Sequence, residues 1–151
     1  MSGLQDIYRE LILDHSRKPR HFGRLDGATH TADGINALCG DKLRLYVEVD
    51  DNGLIRRSSF DGSGCAISVA SASLMTGAIT GLHVDRAESC IDEIASRLTD
   101  GADDEGVSPE LEKLVALDGV RRYPGRVKCA TLAWRTLHAA LNHSGTPATT
   151  E

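Results

Sequence analysis

Leu43, Leu45, Val47 and Val49 alternate with Arg44, Tyr46, Glu48 and Asp50, the two-residue period of a strand with one face buried and the other in water. Asn52-Gly53 follows, a strong short-range signal for a tight hairpin turn, so a second strand is expected from about Leu54 to Phe60. An antiparallel hairpin returns the chain to the place where its first strand began. That start is Asn36-Ala37-Leu38-Cys39-Gly40-Asp41, and the return ends in Asp61-Gly62-Ser63-Gly64-Cys65. The pairing therefore brings Cys65 toward Cys39 and Asp41.

Side chains two residues apart in extended backbone leave from the same face, so Cys39 and Asp41 can reach one ion. Gly40 between them can take the positive φ that a tight metal-binding corner needs. The alternative is a loop in which Cys39 is an inert thiol and Asp41 caps a turn. Gly62 and Gly64 also admit two readings. They let backbone N–H groups approach a sulfur or a bound ion closely, or they only turn strand into helix.

The remaining patterns are helical. Leu4, Ile7, Tyr8, Leu11 and Ile12 form one face, with Ser2 and Gln5 placed as a capping box. Polar residues follow as far as Gly23, where Pro19 biases Lys18 away from helix. His15 and His21 in that stretch are potential ligands, but their charged neighbours favour solvated or capping histidines. Ala66 to Ile79 is small and apolar with interleaved Ser68, Ser71, Ser73 and Thr76, and reads as a buried helix. Ala87, Cys90, Ile91, Ile94 and Leu98 make a further helical stripe, which marks Cys90 as a core thiol. Thr99 to Val107 is an acidic loop without calcium-ligand spacing. Ser108-Pro109 opens a short helix through Leu111, Leu114 and Val115. A last helix carries Leu132, Ala133, Leu137 and Leu141, with Cys129 at or near its N-terminus beside Arg126 and Lys128. All three features favour the thiolate.

Strands in the first half with helices after them predict an α+β fold, a small antiparallel β-sheet covered by helices. With 151 residues, one domain over 1–143 is expected, followed by a disordered polar tail at 144–151. Seventeen basic against 22 acidic side chains leave a net charge of −5, the wrong sign for a general nucleic-acid binder. No apolar run approaches the roughly 18 residues of a membrane span, and Met1-Ser2-Gly3-Leu4 does not open a leader. No membrane partner is expected, and the protein is expected to be soluble and cytoplasmic. Four cysteines, far apart and without a C-x-x-C pair, then point to reduced thiols in metal or sulfur chemistry rather than a disulfide framework.

Three ordered motifs carry a family resemblance. Asn36-x-x-Cys39-Gly40-Asp41, Gly62-Ser63-Gly64-Cys65-Ala66-Ile67-Ser68 and Arg126-Val127-Lys128-Cys129-Ala130-Thr131-Leu132-Ala133-Trp134 together resemble the U-type iron–sulfur assembly proteins, the IscU, NifU N-terminal and SufU family. Asp14-His15 and Pro19-Arg20-His21-Phe22-Gly23 are similar to the family's early segment. The resemblance spans residues 3 to 142 and is closest to SufU. Lys128 stands where IscU-type scaffolds carry a histidine, and the segment around Asp85 to Leu117 accords with SufU's longer connection between the second and third cysteines. Pro124-Gly125-Arg126-Val127-Lys128 replaces the Leu-Pro-Pro-Val-Lys of IscU, and Ala37 replaces a proline usual in the family motif.

The resemblance implies the same α+β fold and one metal site made of Cys39, Asp41, Cys65 and Cys129. Three thiolates and a carboxylate suit tetrahedral zinc. The formal site charge of about −2 would be partly offset by Arg126 and Lys128 beside the ligands. The implied activity is that of a zinc-dependent sulfurtransferase, in which Cys39 accepts persulfide sulfur from a SufS-like cysteine desulfurase and passes it to downstream iron–sulfur assembly proteins. The alternatives are a scaffold on which a [2Fe–2S] cluster is built by the same ligands, with iron in place of zinc, and a structural zinc module that only binds a partner.

Overall fold

The computed structural model describes residues 3–37, 40–99, 108–143 and 148–149. Its sheet is built around β2 (Asp41–Val49), which pairs antiparallel with β1 (His30–Asn36) on one side and β3 (Ile55–Ser63) on the other. Leu43, Leu45 and Val47 point into the core while Lys42 and Arg44 face water, as the alternation requires. The β2–β3 turn is held by Asp50, whose Oδ1 accepts the backbone N–H groups of Asn52 and Leu54, each at 2.9 Å. Gly53 supplies the positive φ of 82° in that turn. The register sets Lys42 opposite Ser63, so the returning strand ends beside Asp41, as the hairpin argument expects. β1 was not anticipated, and it completes the three antiparallel strands.

Helices cover one face of the sheet. α1 (Gly3–Arg17) lies against α2 (Ala66–Ile79), and α2 in turn lies against α4 (Pro124–Leu141). α2 is buried on most of its circumference, and its hydroxyls find partners there: Ser71 Oγ donates to the Ala130 carbonyl of α4 at 2.6 Å. α3 (Val84–Thr99) buries Ala87, Cys90, Ile91, Ile94 and Leu98, the stripe read from the sequence. Cys90 is fully buried, and that burial pushes its thiol pKa up.

Residues Pro109–Arg122 form a 3-10 helix longer than the short helix expected. The reason lies in the spacing of its apolar residues. Leu111, Leu114, Leu117 and Val120 recur at every third position and are all buried, and a helix of three residues per turn puts such positions on one side. Among the described residues, two ion pairs tie this element to α3. Arg86 meets Glu110 with two bonds of 2.9 and 3.0 Å, and Arg97 meets Asp118 with two of 2.7 and 2.8 Å. α4 packs its Leu132 and Thr136 onto β1 at Gly34, where a Cβ would collide with the threonine hydroxyl.

Three expectations change or gain detail. His15 is buried, not solvated: its Nδ1 lies 2.6 Å from Ser73 Oγ, which also accepts the Arg20 N–H. Burial holds its imidazole pKa below the ordinary value. His21 is exposed, and its Nδ1 lies 3.1 Å from Thr76 Oγ1. Ala148 and Thr149, inside the segment read as a tail, run parallel to Gly34 and Ile35 as a two-residue β4, and the rest of 144–151 lies outside the described residues. The acidic loop expected at 99–107 lies outside them as well, from residue 100 onward.

Candidate metal centre

The end of β1 and the start of β2 face one another, with Asn36 opposite Asp41 in the strand register. Residues 37–40 join them in the chain, and Gly40 takes φ +73°, the conformation anticipated for it. Cys39 lies outside the described residues. Asp41 is completely buried, an expensive position for a carboxylate unless its oxygens are hydrogen-bonded. Oδ1 accepts the backbone N–H of Cys65 at 2.9 Å, and Oδ2 accepts Nδ2 of Asn36 at 3.2 Å.

Cys65 is the N-cap of α2. Its Sγ takes the place usually filled by a serine or aspartate oxygen and accepts the Ser68 N–H at 3.5 Å. Cys129 lies near the start of α4, not at it. α4 begins at Pro124, a favoured first helical residue, so Cys129 sits in the second turn rather than at the N-terminus. Its Sγ lies 3.7 Å from the Gly125 carbonyl oxygen and 3.6 Å from Asn36 Nδ2. The Ser71 bond to Ala130 fixes α2 against α4 one residue beyond Cys129, which holds the two thiol-bearing helices in register.

One ligand atom from each of Asp41, Cys65 and Cys129 lies within 4.8 Å of the other two. Edges of a tetrahedral shell with zinc bonds of about 2.0 to 2.3 Å measure roughly 3.3 to 3.8 Å, so an ion needs to draw these atoms in only slightly. Two sulfurs and one oxygen form a donor set that zinc accepts.

Arg126 is exposed on the first turn of α4, and its guanidinium pKa is raised, first by its bond with Cys129 and then by the charge of Cys65. It is therefore a cation that faces the thiols. Lys128 is half-buried beside Cys129. Cys90 stays in the core, apart from this group. The sequence motif contains Asn36 without indicating a role for it, although it touches both Asp41 and Cys129. Its position five residues before Asp41, at the other end of a short loop, was the available signal.

Residues 7–130 match the family of the NifU-like N-terminal domain. The chain is 41% identical over 142 residues to the iron–sulfur cluster assembly scaffold protein IscU of Thermotoga maritima, covering 93% of this chain and 96% of that one. It is 39% identical over 136 residues to the zinc-dependent sulfurtransferase SufU of Bacillus subtilis, covering 90% of each. Among solved structures, a protein of Fervidobacterium islandicum assigned as an iron–sulfur cluster assembly scaffold for the SUF system superposes with a TM-score of 0.75 at 34% identity, over 91% of this chain and 98% of its own. Relatives bearing both names thus match almost the whole chain at similar identity. The fold, the order of the three motifs and these matches make the chain a member of the NifU-like N-terminal domain family, which its IscU and SufU relatives share.

Proposed function

We propose that this protein serves iron–sulfur cluster assembly as a zinc-dependent sulfurtransferase, taking persulfide sulfur from a cysteine desulfurase onto Cys39. The observation that carries the reading is the buried Asp41, held by two hydrogen bonds beside Cys65 and Cys129. A carboxylate is a weaker partner than a thiolate for a metal bound mostly by sulfur, so a shell of Cys39, Asp41, Cys65 and Cys129 is easier to open than four cysteines. The relative from Bacillus subtilis bears the name of a zinc-dependent sulfurtransferase.

When bound, zinc holds its cysteine ligands as thiolates at neutral pH and brings no redox chemistry of its own. The Cys39 thiolate attacks the outer sulfur of the desulfurase's cysteine persulfide. The partner's S–S bond breaks, its cysteine leaves as a thiolate with the electron pair, and a new S–S bond joins the transferred sulfur to Cys39. No net oxidation occurs. Asp41, Cys65 and Cys129 keep their places meanwhile, and Arg126 and Lys128 offset the negative charge gathered there.

A second reading takes the same four residues as a scaffold for a [2Fe–2S] cluster carried as cargo, and the relative from Thermotoga maritima, named as a scaffold, favours it. Metal analysis of anaerobically purified protein, combined with cysteine desulfurase turnover in its presence, separates the two. One equivalent of zinc and accelerated turnover support transfer. Bound iron and sulfide without acceleration support the scaffold.

A further inference from the structure

Asn36 is the fully buried last residue of β1, and its amide spends both protons inside the site. Nδ2 lies 3.2 Å from Asp41 Oδ2 and 3.6 Å from Cys129 Sγ. The amide orientation follows from chemistry, because a carboxylate and a thiolate both accept and neither donates. Oδ1 is buried and has no hydrogen-bond partner among the described residues, an arrangement that is costly in a folded chain. Such a cost is retained where the other half of the amide is needed.

Asn36 also stands at a particular place in the chain. Its register partner is Asp41, so the two residues close the base of the segment that carries Cys39. Asp41 is fixed from three directions: by Asn36, by the Cys65 N–H and by Gly64, whose missing Cβ leaves room for the carboxylate. Cys129 is fixed to the same amide from α4.

We propose that Asn36 is a positioning residue that locks Asp41 and Cys129 together, so that ligand exchange at the metal is confined to Cys39. This rests on the metal-site reading given above. A bare gap at position 36 would remove the one group that bonds both Asp41 Oδ2 and Cys129 Sγ, loosening the two together, and exchange would spread to a second cysteine. Aspartate at the same position keeps the shape but sets an acceptor against two acceptors, with the same outcome.

The test is site-resolved alkylation of the zinc-loaded protein with iodoacetamide, read by peptide mass analysis for all four cysteines. In the unaltered protein Cys39 is expected to react first, with Cys65 and Cys129 protected and the core thiol Cys90 silent. Asn36→Ala and Asn36→Asp should each raise the Cys129 rate by about tenfold or more relative to Cys65 and Cys90. Cobalt-substituted protein gives a second readout, since a loosened carboxylate changes the visible ligand-field bands while the metal stays bound. An unchanged ratio of Cys129 to Cys65 in both variants overturns the proposal, and so does a rise shared equally with Cys90, which reports general loosening of the core. Failure of the metal-site reading looks different: Cys65 and Cys129 in the unaltered protein would then react equally with and without zinc.

Discussion

Gly64 lies flat against the Asp41 carboxylate: a Cβ built on it would stand 2.7 Å from Oδ1 and 3.2 Å from both Cβ and Cγ of the aspartate. No positive φ is required at this glycine, so an alanine there meets no backbone strain and acts only by pushing the carboxylate. Gly64→Ala is therefore expected to lower zinc affinity by about 10- to 100-fold, the range typical of disturbed supporting contacts. Competition with a chromophoric chelator measures it. Far-ultraviolet circular dichroism should stay unchanged, because the displaced carboxylate supports the site and not the helices or the sheet.

Removing the metal should destabilise the whole chain. Asp41, Cys65 and Cys129 sit together on β2, at the N-cap of α2 and on α4, so a shared ion ties three elements and its loss releases them. A metal present at roughly 100 times its dissociation constant adds about 2.7 kcal/mol, which in a chain of this length is roughly 5 to 10 °C in melting temperature. Melting with and without a strong chelator should show a drop of that size. Cys90→Ala should keep full zinc stoichiometry and the same chelator response, while Cys65→Ala should lose both. Loss of zinc from the Cys90 variant would defeat the ligand assignment.

A different pair governs acid stability. Arg86 holds the Glu110 carboxyl well below its ordinary 4.5, at about 2, chiefly through their shared hydrogen bonds. A carboxylate whose pKa is lower in the folded chain contributes stability that is complete above the ordinary value and fades as pH falls toward the folded one. The Arg86–Glu110 clamp between α3 and the 3-10 helix should thus weaken between about pH 4.5 and 2. Glu110→Gln should remove that part of the acid slope. Urea midpoints of the chelated protein across this window measure it, and a variant slope equal to the parent's would exclude the pair as the cause.

The β2–β3 hairpin, α2 and the Cys90 stripe were legible because each is written in a short-range pattern: a period of two for the strand, small apolar residues for a helix buried on most of its circumference, and a 3.6-residue face for α3. The hairpin alone was enough to bring Cys65 to Asp41. β1 was not legible, since His30-Thr31-Ala32-Asp33-Gly34-Ile35-Asn36 has no alternation, and it is a strand through its pairing with β2. His15 was misread because charged neighbours suggest solvent, while the hydroxyl that draws it inward belongs to Ser73, 58 residues away. Pro124 could have placed the start of α4 correctly, five residues before Cys129. The role of Asn36 depends on a bond to Cys129, 93 residues distant, which no local pattern reports.

The last prediction concerns which thiol takes the sulfur. Cys65 caps α2 and lends its N–H to Asp41, and Cys129 is held within the second turn of α4 by the contact with Asn36. Neither can leave a metal without disturbing a helix or a buried hydrogen bond. Cys39 falls in the chain between exposed Ala37 and Gly40 at φ +73°, so under the proposed ligand set its departure is expected to cost the fold least. With a cysteine desulfurase and free cysteine present, persulfides trapped by alkylation and located by peptide mass analysis should lie mainly on Cys39. Equal labelling of Cys39, Cys65 and Cys129 would favour the scaffold. A Cys39→Ala protein should bind the desulfurase but lose most of the acceleration of its turnover. If that variant accelerated the desulfurase as well as the unaltered chain, sulfur transfer through Cys39 would be excluded, because no acceptor would stand at the position proposed for it.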